Sequence, residues 1–478
     1  MLLLLVGSVA FAAEFADQKI AFKTVRYDLD LKPDYDKGLL VAACRIEVKN
    51  VANDTARVVP LLLYKMMTVH SVQGANRQEL PFTQRNVYFD DVDSMAVNFV
   101  EVTLPYALAK NKTVTLDIRY DGYMQEYVET GMLYTQDRIA RDFTILRPDC
   151  YAYPVIGYPN RAVNRQAGME SFDYVITVMV PKGLTAANGG RLMGVGTDNG
   201  RSVFTFQNIR PAWRMDVTIA NYADLSRGNN HVYYFPEDAA GAERLLTAME
   251  QCMELYTRWF GPLHQTSGFA VIEIPEGFGS QADVTSILQT ADAFRDPAQL
   301  HQLYHELSHQ WNVRETDKLP SRYNEGLATF LEWHAADILG NAPVFVSDQA
   351  NGGMYYTISG LALQLRERLA TDSQLTQVAP VDYGSKGIEQ QSYSVGAVAF
   401  CVLWGIVGEE EFMRLLNGFY QEKEATGATA REFVSYLTRK SSVDLTAYAN
   451  DWWLGTGWTE RIKRGKSVRE LAGEYKTN

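Results

Sequence analysis

Cysteine is scarce in this chain. Cys44, Cys150, Cys252 and Cys401 are spread over 478 residues with no C-x-x-C pair. Such spacing excludes a zinc knuckle and a dense disulfide framework, and leaves buried thiols with room for at most a disulfide in an oxidising compartment. Clusters of lysine and arginine are also missing, and the formal net charge is -12. A nucleic-acid partner, which rewards concentrated positive charge, is thereby disfavoured, while small-molecule and peptide substrates stay open. No window reaches the length of a membrane span, and no repeat or low-complexity tract is present. What remains is ordinary: 46% hydrophobic and 21% charged residues, in a chain long enough for two or three structural units.

The N-terminal run MLLLLVGSVAFAAEF is apolar from Leu2 to Ala13 and ends in small residues. It reads as a signal peptide over 1–13, which predicts export to a periplasmic, extracellular or cell-envelope site, although no lysine or arginine precedes it. Without such a signal the chain would be cytoplasmic. From about residue 20 the apolar period is two. Val25, Tyr27, Leu29 and Leu31 alternate with polar partners, as do Val114, Leu116, Ile118 and Tyr120, then Phe172, Tyr174, Ile176, Val178 and Val180. The pattern predicts an antiparallel β domain over 14–228. Beyond 229 it turns mostly helical, so the fold class expected is α+β, with a second domain over 229–478.

One short stretch carries chemistry. Asp296-Pro297 opens a helix bearing Leu300, Leu303, Tyr304 and Leu307 on one side, and within it Tyr304-His-Glu-Leu-Ser-His309 puts two histidines one turn apart. Both imidazoles can face one ion, and Glu306 stands beside it, placed to act as general base. A helix with structural histidines is the bland alternative. A catalytic zinc needs a third protein ligand and an open position. Tyr323-Asn-Glu-Gly offers Glu325, after 15 intervening residues that allow a turn and an antiparallel helix. Glu332 and His334 are weaker candidates. His301 lies too far from His309, since eight helical residues span about 12 Å. His70, His231 and His264 have no metal spacing.

HELSHQW followed by NEGLATF resembles the gluzincin metallopeptidases of the aminopeptidase N and leukotriene hydrolase type. Tyr393-Ser-Val-Gly396 with Gly408-Glu-Glu-Glu-Phe is similar to that family's Tyr-x-x-Gly stretch, and Val180-Pro-Lys-Gly-Leu-Thr and Tyr256-Thr-Arg-Trp-Phe-Gly extend the likeness over nearly the whole chain. The resemblance implies a saddle-like β domain and a thermolysin-like catalytic domain holding one Zn2+ on His305, His309 and Glu325. It implies peptide hydrolysis through a metal-activated water, with Glu306 as base and Tyr393 as oxyanion donor. Members often add a C-terminal helical repeat domain. About twenty residues follow Trp458 here, so the resemblance implies a chain without it.

Three departures qualify that reading. The His309 to Glu325 connection is shorter than usual. Val395 stands where Tyr-x-Lys-Gly members carry lysine. Aminopeptidases of the family read the substrate amine with the glutamate of Gly-x-Met-Glu-Asn, and the matching segment here, with Gly277, Phe278, Gly279, Ser280 and Gln281 as candidate substrate contacts, puts Ser280 or Ala282 in its place. Losing that charge-assisted contact is worth roughly 1.5 to 3 kcal/mol. Glu276 or Asp283 could substitute by a register shift. The expectation is an aminopeptidase-like enzyme with altered amine recognition. The alternatives are an endopeptidase, a hydrolase of another substrate such as an epoxide, or a catalytically reduced peptide-binding scaffold that retains zinc.

Overall fold

Alternation does build the first half, in the computed structural model, which describes residues 14–125, 135–167, 171–263, 268–341 and 353–476. The predicted signal segment 1–13 and His264 lie outside the described residues. In strand Phe22–Asp34, Tyr27, Leu29 and Leu31 are buried, but Val25 is not, because a bulge between Thr24 and Arg26 resets the phase and buries Thr24 instead. This strand lies inside a seven-stranded sheet ordered Arg191–Asp198, Arg201–Gln207, Asp173–Pro181, Phe22–Asp34, Leu39–Asn50, Thr113–Tyr123, Met67–Gln73. Phe22–Asp34 and Asp173–Pro181 run parallel, with Tyr27 opposite Tyr174. The other ladders of this unit are antiparallel, including a four-stranded and a three-stranded sheet.

Among the described residues, two buried charge groups sit in this β unit. Arg147 and Asp137 pair at 2.8 Å with side chains 0% and 1% exposed, and Arg214 bonds both Asp149 and Asp216 at 2.6 Å. Each buried charge has its counterion, as burial demands. Cys44, Cys150, Cys252 and Cys401 are all free and buried.

The chain divides into two compact units after Asn221, a few residues before the expected 228. Residue 228 falls in the turn between strands Ala223–Arg227 and Asn230–Tyr234, and that hairpin joins the second unit because Asn230–Tyr234 pairs in parallel with Ala270–Ile274. Ser286–Thr290 continues the parallel run and Gln281–Ala282 forms the antiparallel edge of this five-stranded sheet. Among the described residues the remaining elements of the second unit are helices, from Ala239–Phe260, stopped by Gly261 at φ 87°, to those carrying the buried Trp452 and Trp458 near the end. Helix Tyr323–Ile338 packs on helices Leu300–Ser308 and Ser392–Val407. Contrary to expectation, one stretch, Glu389–Val407, has the length and apolarity of a membrane-crossing helix; most of it is buried in this core, which explains its all-round hydrophobicity.

Candidate active site

The turn Pro297–Gln299 is capped by Asp296, whose carboxylate accepts from Ala298 N at 2.9 Å, and helix Leu300–Ser308 follows. Leu300, Leu303, Tyr304 and Leu307 are buried, leaving His305 and Glu306 half-buried on the other side. The α-helix stops at Ser308 rather than running through the second histidine. His309–Trp311 form a 3-10 turn, a common tightening of a last turn, anchored by the Trp311 indole donating to Gly261 O at 2.9 Å. The two imidazoles nevertheless stay together, with centroids 5.1 Å apart and planes at 79°.

Glu325 lies in the first turn of Tyr323–Ile338. Its Oε2 is 3.5 Å from His305 Nε2 and 3.4 Å from His309 Nε2, and the three donor atoms all lie within 4.8 Å of one another. Ligands held about 2.0 to 2.1 Å from a tetrahedral zinc stand about 3.3 Å apart, so two nitrogens and one carboxylate oxygen in this arrangement fit such an ion. The outward nitrogens are engaged. His305 Nδ1 lies 2.9 Å from Glu332 Oε2, and His309 Nδ1 lies 2.6 Å from the side-chain amide of Asn312, which presents an acceptor once its amide is turned over. Anchoring Nδ1 in this way directs Nε2 inward.

The electrostatics follow from this crowding. Burial opposes a charged His305, but Glu325 and Glu332 outweigh it and push the imidazole up to about 10. Burial likewise opposes a charged Glu325, yet His309, His305 and Arg322 hold its carboxyl well below the usual range. A metal ion held here would displace that proton, since a ligating imidazole must be neutral. Burial pushes the Glu306 carboxyl up, against the pull of His305 and His309. Glu306 takes part in none of the bonds that hold the histidines.

Tyr393 lies in the first turn of Ser392–Val407. Its ring is parallel to that of His305, 6.0 Å away with 4° between planes, and burial raises its hydroxyl above the ordinary value. Arg322 reaches the same place: Nη2 donates to Glu325 Oε1 at 2.7 Å and to Tyr393 Oη at 3.4 Å. No sequence pattern singled out Arg322 or Asn312.

The expected substrate segment flanks the HExxH helix. Gly277 takes φ 88° in the turn after Ala270–Ile274, Phe278 N donates to Pro275 O, and Gly279 leads to Ser280. Ser280 Oγ accepts from Gln289 Nε2 at 3.1 Å and from Thr290 N at 3.2 Å, while Gln302, one turn before Glu306, is 3.3 Å from both Gln289 Nε2 and Thr290 Oγ1. Gln281 and Ala282 form the edge strand. Neither spare acid is presented in this cluster: Glu276 pairs with Arg295 at 2.7 Å, and Asp283 is buried, with its carbonyl accepting from Gln310.

The other histidines have different partners. His301 bonds Glu332 Oε1 and stacks on Trp333 at 4.3 Å. His334 is buried against Trp259, at 5.1 Å, and burial lowers it to about 4. His70 pairs with Asp121, and His231 with Asp224.

No family model and no curated protein matches the sequence. Solved structures do. A glutamate-to-alanine variant of an M1 zinc metallopeptidase from Deinococcus radiodurans, bound to a Tyr-Ser-Ala substrate, is 18% identical with a TM-score of 0.62, over 91% of this chain and 94% of that one. The M1 zinc metallopeptidase from Deinococcus radiodurans without that substitution is 18% identical with a TM-score of 0.59, over 96% and 94%. A two-domain M1 zinc metallopeptidase variant bound to L-arginine is 17% identical with a TM-score of 0.57, over 95% and 94%. At such identity the likeness is one of fold.

Proposed function

We propose that this chain is a zinc-dependent metallopeptidase that hydrolyses peptide bonds, aminopeptidase-like in architecture but with altered recognition of the substrate amine. The observation that carries the proposal is the convergence of His305 Nε2, His309 Nε2 and Glu325 Oε2 at separations suited to one tetrahedral ion. When bound, zinc supplies a Lewis acid that acidifies water and polarises a carbonyl. Glu306 takes the proton of the attacking water and delivers it to the leaving amine, a role suited to a carboxyl raised by burial. Tyr393 keeps its proton and donates a hydrogen bond through its hydroxyl to the oxygen that gains charge. The peptide bound in one neighbour supports a short peptide as substrate.

Altered amine recognition is supported by Ser280, which the resemblance puts at the place of the family's glutamate and which is bonded here to the uncharged Gln289 and Thr290. Such a cluster favours hydrogen bonding to neutral backbone groups over capture of a charged terminus. The test is a mixed peptide library incubated with zinc-quantified protein, with cuts mapped by mass spectrometry. Cleavage that disappears in Glu306→Gln while that variant keeps one zinc is expected. Terminal single-residue losses identify an aminopeptidase, internal cuts an endopeptidase. A zinc-loaded wild type that cuts nothing overturns hydrolysis in favour of a peptide-binding scaffold.

A further inference from the structure

Arg322 occupies a position that ordinary side chains avoid. Its backbone is left-handed, at φ 61°, immediately before helix Tyr323–Ile338. Three bonds keep it there. The buried end of Glu315 accepts from Arg322 N at 3.1 Å and from Ser321 Oγ at 3.2 Å, and Ser392 Oγ donates to Ser321 O at 2.6 Å, tying the turn to the start of the Tyr393 helix. A conformation held by this much surrounding structure beside a reactive centre points to a task for the side chain it aims.

That side chain joins two helices. Its Nη2 bonds Glu325 Oε1 at 2.7 Å, so the other oxygen, Oε2, is the one left facing the imidazoles. Nη2 also lies 3.4 Å from Tyr393 Oη, with the guanidinium carbon 5.6 Å from the ring centroid. A guanidinium only donates. Tyr393 Oη is therefore the acceptor in this pair, and its own proton is left for a second partner, which in this structure is the Glu325 carboxylate.

We propose that Arg322 is a positioning residue with two effects: it fixes which oxygen of Glu325 faces the metal position, and it orients the Tyr393 hydroxyl so that the tyrosine proton is available to substrate. The second effect rests on the peptidase reading above; the first does not. A charged donor on the phenol oxygen also strengthens the hydrogen bond that the phenol gives, since chained hydrogen bonds polarise one another.

The experiment uses the full chain and its variants Arg322→Ala, Arg322→Gln, Arg322→Lys, Tyr393→Phe and the double variant Arg322→Ala/Tyr393→Phe. Zinc affinity of the apo-proteins is measured by competition with a chromogenic chelator, and kcat and KM are measured at saturating zinc on a peptide from the library. Arg322→Ala and Arg322→Gln are expected to weaken zinc about 10- to 100-fold, as loss of a residue that holds a ligand does, while Tyr393→Phe leaves affinity unchanged. At saturating zinc, Arg322→Ala is expected to lower kcat about 10-fold or more with little change in KM. The same substitution should cost nothing further in the Tyr393→Phe background, the mark of two residues acting as one unit. Arg322→Lys, which keeps the charge without the planar fork, should recover only part of each loss. Wild-type zinc affinity in folded Arg322→Gln overturns the first effect, and additive kcat losses overturn the second. If the zinc-loaded wild type hydrolyses no peptide, the peptidase reading and the second effect fall together, and the zinc affinities alone decide the first.

Discussion

Gly326 and Gly396 touch where two helices cross. A Cβ on Gly326 would stand 2.6 Å from Gly396 Cα and 2.6 Å from Ser392 O, and one on Gly396 would stand 2.8 Å from Gly326 Cα. This approach sets Glu325, the residue before one glycine, beside Tyr393, three before the other. Both helices present backbone at the contact, so neither can yield by turning a side chain aside.

Gly326→Ala should therefore destabilise the second unit by about 1 to 3 kcal/mol through overpacking, offset in part by the roughly 1 kcal/mol that alanine gains over glycine in a helix. Zinc affinity should fall with it, because the helix that moves carries Glu325. Urea unfolding and chelator competition measure the two effects. Unchanged values for both would mean that the crossing relaxes without cost and does not position the site.

Glu332 bonds His301 Nδ1 with one oxygen and His305 Nδ1 with the other, and although burial opposes its charge, His301 and His305 hold its carboxyl below the ordinary range. Glu332→Ala should free the His305 ring to rotate and weaken zinc about 10- to 100-fold. Chelator competition reads this directly. Affinity equal to wild type would show that the helix alone orients His305.

Asp137→Asn removes the carboxylate bonded to the buried Arg147 guanidinium, where the pair is 0% and 1% exposed, and leaves it the weaker pull of Asp149. Breaking a buried pair from one side costs about 3 to 5 kcal/mol. Denaturant unfolding of the β unit should show that loss, with zinc affinity of the second unit untouched. A loss below about 1 kcal/mol would mean that Asp149 or water compensates Arg147 in the variant.

The proximity of His305, His309 and Glu325 and much of the fold were legible because both rest on local spacing. HExxH records a helix face, and alternation records a sheet face; each fails where the backbone departs from its period, as at the Thr24 to Arg26 bulge that turns Val25 outward and at the 3-10 turn that begins with His309. Contacts across elements left no such trace. Val395, which stands where the resemblance puts a lysine, is fully buried, and the cation beside Tyr393 comes instead from Arg322, 71 residues earlier. Nothing in Ser321-Arg322-Tyr323 announces a left-handed residue, since that conformation depends on Glu315 and Ser392 arriving from elsewhere. The position of the unit boundary was obscured for a similar reason: the hairpin around residue 228 keeps the period of the first unit but pairs with the second.

Glu273, at the buried end of strand Ala270–Ile274, gives the chain a stability that depends on pH. Burial pushes its carboxyl from an ordinary 4.5 up to about 9; Phe235 N donates to Oε2 at 2.7 Å and pulls it down, Asp238 pushes it further up, and Arg295 draws it slightly back. The folded state thus keeps a proton that the unfolded state releases above pH 4.5. Between pH 4.5 and about 9 the unfolded chain binds fewer protons, so stability falls as pH rises, by about 1.4 kcal/mol per pH unit for a fully buried group. Below 4.5 both states are protonated and no penalty remains. Glu273→Gln removes the titration while keeping the contacts, since the amide oxygen can accept from Phe235 N and the amide hydrogens can donate to Asp238. Its melting temperature should match wild type at pH 4 and exceed it by a margin that grows from pH 5 to pH 9. A constant difference across that range would show that Glu273 ionises in the folded chain at its ordinary value.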